Sequence, residues 1–70
     1  MYKEIFAQRL KKARLDTGFT QNEVAKEIGV SRSKIAKLET GTQEPTLEQL
    51  GILAEFYNVR IDWLLGTKNQ

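Results

Sequence analysis

The sequence predicts an all-α fold of five short helices, on three observations. Apolar residues recur at helical spacing in five successive stretches. A Thr or Ser suited to cap a helix stands before three of them, and Gly or Asn follows all five. No stretch alternates apolar and polar residues as a strand does. The 70 residues suit one compact domain spanning 1–70, with a small core, because so short a chain buries only about 60% of its unfolded surface.

The composition excludes several kinds of site. The sequence contains no Cys and no His, which removes disulfides, thiol nucleophiles, imidazole bases and the usual zinc ligands. No apolar run approaches the roughly 18 residues of a membrane span, and no apolar stretch typical of a signal peptide follows the N-terminus. We therefore expect a cytoplasmic protein with no metal, no cofactor, no membrane contact and no evident small-molecule effector.

The net charge of +2 is unevenly distributed along the chain. Residues 1–41 contain nine Lys or Arg and five Asp or Glu, a net +4, whereas residues 42–70 contain two and four, a net −2. A basic half suits a polyanion such as DNA, although charge alone fits an ordinary solvated surface equally well.

The first helix is predicted over residues 3–17. Its basic side chains are expected in solvent, and Gly18 stands where a helix end favours the left-handed conformation. The expected inward stripe is Ile5, Phe6, Leu10 and Ala13.

Residues 20–41 are predicted to form two short helices joined by a tight turn, and the rest of the chain is organised around this unit. Thr20 and Glu23 make a capping box for a helix over residues 21–28. Gly29 ends that helix, and Ser31 is a good N-cap for the third. The apolar residues expected to face the core from this helix and the turn are Val24, Ala25, Ile28 and Val30.

The third helix is predicted to present a narrow outward face, small in the middle and cationic at the edges. At about 100° per residue, Ile35 and Leu38 point inward. Ala36 would let the opposite face approach a base edge or a thymine methyl closely. Arg32 can fork onto guanine, and Ser33 and Lys37 can donate to bases, with Lys34 on the flank. This face predicts a helix that reads the major groove of DNA.

The remaining chain predicts two more helices. Thr46 and Gln49 make a second capping box for a helix over residues 46–57, which Asn58 can end in the left-handed conformation. A last short helix is expected over residues 60–65. Gly66 ends it, and residues 67–70 are expected to fray. The apolar residues of these helices are Leu47, Leu50, Leu53, Ala54 and Tyr57, then Ile61, Trp63, Leu64 and Leu65.

Eleven spaced stretches of the chain match a known pattern. They are Gly18-Phe19-Thr20-Gln21, Val24-Ala25, Gly29-Val30-Ser31, Ile35, Leu38-Glu39, Gly41, Pro45, Leu50, Ala54, Val59 and Asp62-Trp63-Leu64-Leu65. Over about residues 6–66 the chain resembles the lambda-repressor-like (Xre-type) helix-turn-helix family of phage repressors, Cro proteins and small bacterial regulators. The resemblance implies a compact five-helix fold and a sequence-specific transcriptional regulator. It would bind a pseudo-palindromic double-stranded DNA operator as a homodimer, as a repressor.

The resemblance also implies roles for individual residues. Base reading falls to Arg32, Ser33 and Lys37, beside the Ala36 that the helix geometry places among them. Phosphate contact falls to Gln21, Lys34, Thr42 and Gln43, although Gln21 and Lys34 also fit simply solvated positions. Arg14 and Glu39 are implied to form a partly buried ion pair, with Arg9 as an alternative partner for Glu39. Trp63 is expected in the core rather than as a stacking platform.

The chain departs from the family pattern at Arg60, which takes the place of a capping Ser or Thr, and at Ile52 and Phe56. These two lie off the apolar stripe of the fourth helix and predict an outward patch, either ordinary surface or interface. The fifth helix has more apolar residues than one face can bury. The dimer interface candidates are therefore Ile61, Leu64, Leu65, Ile52 and Phe56.

Two other function classes remain as alternatives. An antitoxin or other protein-interaction module would use the Ile52–Phe56 patch or the fifth helix. An antitoxin usually adds a toxin-binding segment beyond its DNA-binding domain, so the roughly four residues after Gly66 count against this expectation. An enzyme is disfavoured because the sequence has no His, no Cys and no glycine-rich phosphate loop, and its carboxylates fall on solvated helix faces.

Overall fold

The structure, a computed structural model, describes residues 2–67 and confirms the all-α prediction. Within those residues there are five helices and no strand. The helices predicted over residues 3–17, 21–28, 46–57 and 60–65 each begin and end within one residue of those bounds. The helices are α1 (Tyr2–Thr17), α2 (Gln21–Ile28), α3 (Arg32–Thr40), α4 (Leu47–Tyr57) and α5 (Ile61–Leu65).

The predicted caps define where α2, α3 and α4 begin. The Glu23 amide donates to Thr20 Oγ1 at 3.1 Å and Thr20 N donates to Glu23 Oε1 at 2.8 Å, which completes a capping box. Thr46 and Gln49 make the same reciprocal pair at 3.0 Å in both directions. These bonds satisfy backbone N–H groups that the first turn of a helix leaves without partners.

The turn between α2 and α3 depends on Gly29. Its φ of 81° lies in the left-handed region, which residues with a Cβ occupy only at a cost. In this conformation the N–H groups of Gly29 and Val30 both bond to Ala25 O, at 2.9 and 3.0 Å. The turn is therefore short, and it brings the two helices against each other.

The core lies where α1 meets α3, α4 and α5, while α2 packs on α3. α3 is therefore held from two sides, by α1 and by α2. The fully buried large side chains are Phe6, Leu10, Val24, Ile35, Leu38, Leu53 and Leu64.

Two predictions about α4 are wrong. Leu47, expected in the inward stripe, is 88% exposed, because it is the first residue of the helix and precedes the turn that packs on the core. Phe56, expected on an outward patch, is half-buried, and its ring lies 5.1 Å from that of Phe19 and 5.0 Å from that of Tyr57. Only Ile52 of the predicted patch remains classed as exposed, at 37%.

α5 differs from prediction in one buried residue. Leu64, a dimer interface candidate, has no exposed surface and belongs to the core, so it cannot contact a partner chain. Arg60 makes no capping hydrogen bond, as its departure from the family pattern suggested, and forms an exposed ion pair with Asp62. Thr67, the start of the predicted frayed tail, donates its N–H to Asp62 O at 3.0 Å, and the rest of that tail lies outside the described residues.

Candidate nucleic-acid interface

The outward face of α3 has the composition that the sequence predicted. Arg32, Ser33 and Lys37 are exposed, and Ala36 lies half-buried among them. Lys34, on the flank, is half-buried as well. The face is therefore cationic at its edges and sterically low at its centre, a shape that can approach the edges of base pairs.

The opposite face of α3 fixes the orientation of the helix. Ile35 and Leu38 are each only 1% exposed and lie in the main core cluster. At the N-terminus, the Lys34 amide donates to Ser31 Oγ at 3.1 Å, which makes Ser31 the predicted cap. Because its core face and its N-cap hold the helix in place, the backbone positions of its outward side chains are fixed.

A buried ion pair ties the end of α3 to α1. Arg14 Nε lies 2.7 Å from Glu39 Oε2, and Arg14 Nη2 lies 3.1 Å from Glu39 Oε1. Glu39 is the only charged residue classed as buried among residues 2–67. The hydrogen bond that Arg14 donates to Glu39 raises the pKa of Arg14 above its ordinary value, against the opposing effect of burial. The partner of Glu39 is therefore Arg14 rather than Arg9.

Gln21, the first residue of α2, lies between this ion pair and the outward face. Its Nε2 donates to Glu39 Oε1 at 3.1 Å, and its Oε1 accepts from Arg32 Nη1 at 3.2 Å. The half-buried Gln21 side chain thus bridges a buried carboxylate and an exposed guanidinium. The sequence did not predict this bridge, because α2 and α3 must pack before residues 21 and 32 meet.

The loop after α3 carries the two other proposed phosphate contacts. Thr42 N and Thr42 Oγ1 both donate to Lys37 O, at 3.1 and 3.3 Å, so the loop begins by folding back on the end of α3. Gln43 is exposed beside it. These residues follow the outward face of α3 directly in the chain.

Two contacts between Arg9 and Trp63, which lie outside this face, were not predicted from the sequence. Arg9 donates from Nη1 to Trp63 O, and its guanidinium carbon lies 5.1 Å from the centroid of the Trp63 ring. The half-buried Trp63 ring packs against the core, as expected.

The hydroxyl of Tyr57 is buried without a hydrogen-bond partner among residues 2–67. Burial, with a smaller effect of the Glu39 charge, raises the pKa of Tyr57 to about 12.

Among the interface candidates, apolar surface remains on the exposed side of α5 and at Ile52 of α4. Ile61 is 44% exposed and Leu65 is half-buried. They line a shallow open concavity with Arg60, Asp62 and Thr67.

Among residues 2–67, no group of three or more His, Cys, Asp or Glu side chains could hold a metal ion. None of the helices in that range has the length and apolar character needed to cross a membrane.

Comparison with known proteins places residues 10–64 within the sequence profile of a helix-turn-helix family. YobD of Bacillus subtilis, an uncharacterized HTH-type transcriptional regulator, is 34% identical over 62 residues, which are 89% of this chain and 55% of that protein. The cryptic phage CTXphi transcriptional repressor RstR of Vibrio cholerae is 39% identical over 62 residues, 89% of this chain and 56% of RstR.

A third relative is named an activator, whereas RstR is named a repressor. The HTH-type transcriptional activator BcrR of Enterococcus faecalis is 37% identical over 61 residues, 87% of this chain and 30% of BcrR. The chain spans about half the length of the curated relatives it matches first. The shared segment contains the two-helix unit and the core that supports it.

Proposed function

Because the chain belongs to the lambda-repressor-like (Xre-type) helix-turn-helix family of transcriptional regulators, we propose that it binds a specific double-stranded DNA operator. It binds as a homodimer, with α3 in the major groove of each half-site, and represses transcription in the cytoplasm. The observation that carries the proposal is the outward face of α3. There Arg32, Ser33 and Lys37 stand exposed around Ala36 on a helix whose other face is fully buried.

Base reading is assigned to this face of α3. Arg32 can donate two hydrogen bonds to guanine O6 and N7, and Ser33 and Lys37 can donate to acceptors on neighbouring bases. Ala36 contributes by its size, because a longer side chain there would hold the helix away from the groove floor.

Affinity is assigned to phosphate contacts around that face. Gln21 stands at the N-terminus of α2, where free N–H groups and the helix dipole favour an anion. Lys34 flanks α3, and Thr42 and Gln43 follow it. Such contacts release counterions, so binding weakens steeply as the salt concentration rises.

Dimerisation is assigned to α5. One recognition helix reads few base pairs, and two-fold dimers of helix-turn-helix proteins reach half-sites about 34 Å apart. Ile61 and Leu65 offer the apolar surface for this contact, and Ile52 is a secondary candidate. Leu64 and Phe56 are not proposed, because their side chains pack within the chain.

Repression is the sign of regulation that DNA binding alone can produce. A dimer seated on a promoter excludes polymerase by occupying the same surface, without any further contact. The repressor RstR among the relatives supports this sign, while BcrR is named an activator.

The experiment that tests the proposal is selection of binding sites from random double-stranded DNA with the purified protein. We expect an enriched motif with two-fold symmetry and half-sites one helical turn apart. Promoter DNA carrying that motif should then be transcribed less in a purified system when the protein is added. Recovery of no motif above the starting pool would overturn the proposal, and an asymmetric motif would overturn its dimeric part.

A further inference from the structure

We infer that Arg9 is a positioning residue that sets the orientation of α5, and through it the spacing between the two DNA half-sites. Arg9 belongs neither to the outward face of α3 nor to the exposed apolar side of α5. The effect on spacing rests on the proposed function, in which α5 forms the dimer contact. The orientation of α5 is a property of the free protein and can be measured without DNA.

The orientation of α5 depends on contacts with the rest of the chain. The helix is only five residues long, and helices shorter than about 12 residues are marginal on their own. Its N-terminus lacks a side-chain cap, because Arg60 makes no capping hydrogen bond. Leu64 is fully buried and anchors one side of the helix. One anchored side chain still allows rotation about that point, so contacts on another side of the helix are needed to fix it.

Arg9 supplies such contacts, because it holds Trp63 by its backbone and by its side chain. Arg9 Nη1 donates to Trp63 O, and the guanidinium carbon lies 5.1 Å from the centroid of the Trp63 ring. The same carbonyl accepts from Gly66 N at 3.2 Å, so both of its lone pairs have donors. The cation is favoured both by the C-terminal end of the helix dipole and by the aromatic ring. A rotation of α5 about its axis would break at least one of these contacts.

Arg9 holds α5 on the side opposite its exposed apolar surface. At about 100° per residue, Trp63 lies about 200° from both Ile61 and Leu65, which are about 40° from each other. Ile61 and Leu65 line the shallow concavity on the exposed side of α5. Arg9 can therefore direct this surface without taking part in the dimer contact. In a two-fold dimer, a rotation of α5 changes the distance between the two α3 helices, and with it the half-site spacing that the dimer fits.

The first test measures the orientation of α5 in the free protein by residual dipolar couplings. In the wild-type protein we expect the amides of all five helices to fit one alignment tensor. Because the two chains of a two-fold dimer share that tensor, the same fit applies to monomer and dimer. Arg9→Met keeps an unbranched side chain of similar length and removes both contacts with Trp63. We expect it to shift the couplings of α5 away from the tensor that α1 to α4 define.

The matched control is Lys11→Met, which removes the same charge from an exposed position on α1. It should leave the couplings of α5 on the common tensor. Arg9→Met is measured at a temperature where circular dichroism shows the variant folded. A residue that contributed only stability would leave the folded orientation of α5 unchanged under these conditions. Couplings of α5 that fit the common tensor in Arg9→Met would therefore overturn the inference.

The second test measures spacing on DNA, using the site that the wild-type protein selects and versions with the half-sites one base pair closer or farther apart. Arg9→Met should lower the preference for the selected spacing by at least about 3-fold, the worth of one hydrogen bond. Affinity for a single half-site should stay the same, because the outward face of α3 is intact. If affinity for the single half-site fell by the same factor as affinity for the whole operator, Arg9 would act through the fold as a whole, contrary to the inference.

A double-mutant cycle connects the effect on spacing to the dimer contact. In an Ile61→Glu background, in which the proposed contact is lost, Arg9→Met should not alter operator affinity further. Full additivity of the two changes would contradict a role of Arg9 through α5. A wild-type protein that selects no paired half-sites would instead overturn the dimeric part of the proposed function. The dipolar couplings would then decide whether Arg9 orients α5.

Discussion

Arg14 and Glu39 join α1 to α3 through two parallel contacts, of 2.7 and 3.1 Å, with side chains only 11% and 2% exposed. Arg14 also donates from Nη1 to Phe19 O at 3.0 Å, so the same guanidinium holds the segment leading into α2. One side chain therefore connects α1 with both helices of the two-helix unit. Removal of either partner leaves a buried charge without compensation, which is costly in a small protein.

The first prediction is that Glu39→Ala lowers the free energy of unfolding by about 3–5 kcal/mol, as for other broken buried pairs. In a protein of this size that loss lowers the Tm by at least about 12 °C. Thermal unfolding by circular dichroism at fixed protein concentration measures it.

A matched control for this loss is Asp16→Ala. Asp16 pairs with Lys12 at 3.1 Å, but both side chains are more than 60% exposed, so this pair should contribute less than about 0.5 kcal/mol. If Glu39→Ala melted within a degree or two of wild type, the buried pair would have no role in stability.

The second prediction concerns the Tyr57 hydroxyl, which is buried and has no partner among residues 2–67. Tyr57→Phe removes a polar atom that has lost its contacts with water, so the free energy of unfolding should rise by about 1 kcal/mol at neutral pH. Urea denaturation measures the change. A loss of stability would mean that a bound water satisfies the hydroxyl.

Tyr57 should also make the free energy of unfolding depend on pH. Burial, the larger effect, and the Glu39 charge raise the pKa of Tyr57 to about 12, so the folded protein retains its proton where the unfolded chain, with a pKa near 10, releases it. The stability contributed by the neutral side chain is complete below about pH 10 and is lost as pH rises toward 12. The difference in stability between Tyr57→Phe and wild type should therefore grow over this range.

The third prediction compares two glycines with positive φ. Gly29→Ala has no atom within 4 Å of its new Cβ, so only the left-handed backbone, about 1–2 kcal/mol, opposes it. Gly66→Ala, with φ of 75°, also places its Cβ 2.6 Å from Ile5 Cγ2, where α5 ends against α1. Gly66→Ala should cost at least about 1 kcal/mol more than Gly29→Ala in urea denaturation. In an Ile5→Ala background, which removes the clashing atom, the two costs should become similar.

Local signals along the chain were sufficient to predict the helices and most of the core. Capping boxes at Thr20 and Thr46 depend on residues three positions apart, so they can be recognised before any tertiary contact exists. The inward faces of α1 and α3 followed from periodicity, because both helices pack along their whole length on one side. The same periodicity also predicted the outward face of α3, because its residues are those that lie opposite Ile35 and Leu38.

Errors arose where packing, rather than periodicity, decides the environment. Phe56 lies off the stripe of α4, but a bulky ring can reach Phe19 across the helix edge. Leu64 is buried in the core cluster because α5 packs against both α1 and α4. The contact of Gln21 with Glu39 joins residues 18 positions apart, and no sequence period encodes it.

The fourth prediction tests the proposed base-reading side chains. Arg32→Ala and Lys37→Ala should each lose discrimination at particular base pairs of the selected operator, by about 1–3 kcal/mol. Lys34→Ala should weaken binding to every sequence alike and reduce the salt dependence, because a phosphate contact carries no sequence information. Titration of operator variants by fluorescence anisotropy measures both effects. Unchanged sequence preference in Arg32→Ala and Lys37→Ala would show that α3 does not read bases.

The fifth prediction concerns the dimer. Ile61 is 44% exposed on α5, and a charge at this position would have to be desolvated in an apolar contact between two chains. Ile61→Glu should therefore shift the protein toward monomer in sedimentation velocity and lower affinity for the two-half-site operator far more than for a single half-site. Leu15→Glu is the matched control, because Leu15 is also an exposed apolar residue, at 59%. It lies near the C-terminal end of α1, whereas the α1 residues that contact α5 and Gly66 are Ile5 and Arg9. Leu15→Glu should leave the oligomeric state unchanged. If Leu15→Glu produced monomers and Ile61→Glu did not, the dimer interface would lie away from α5.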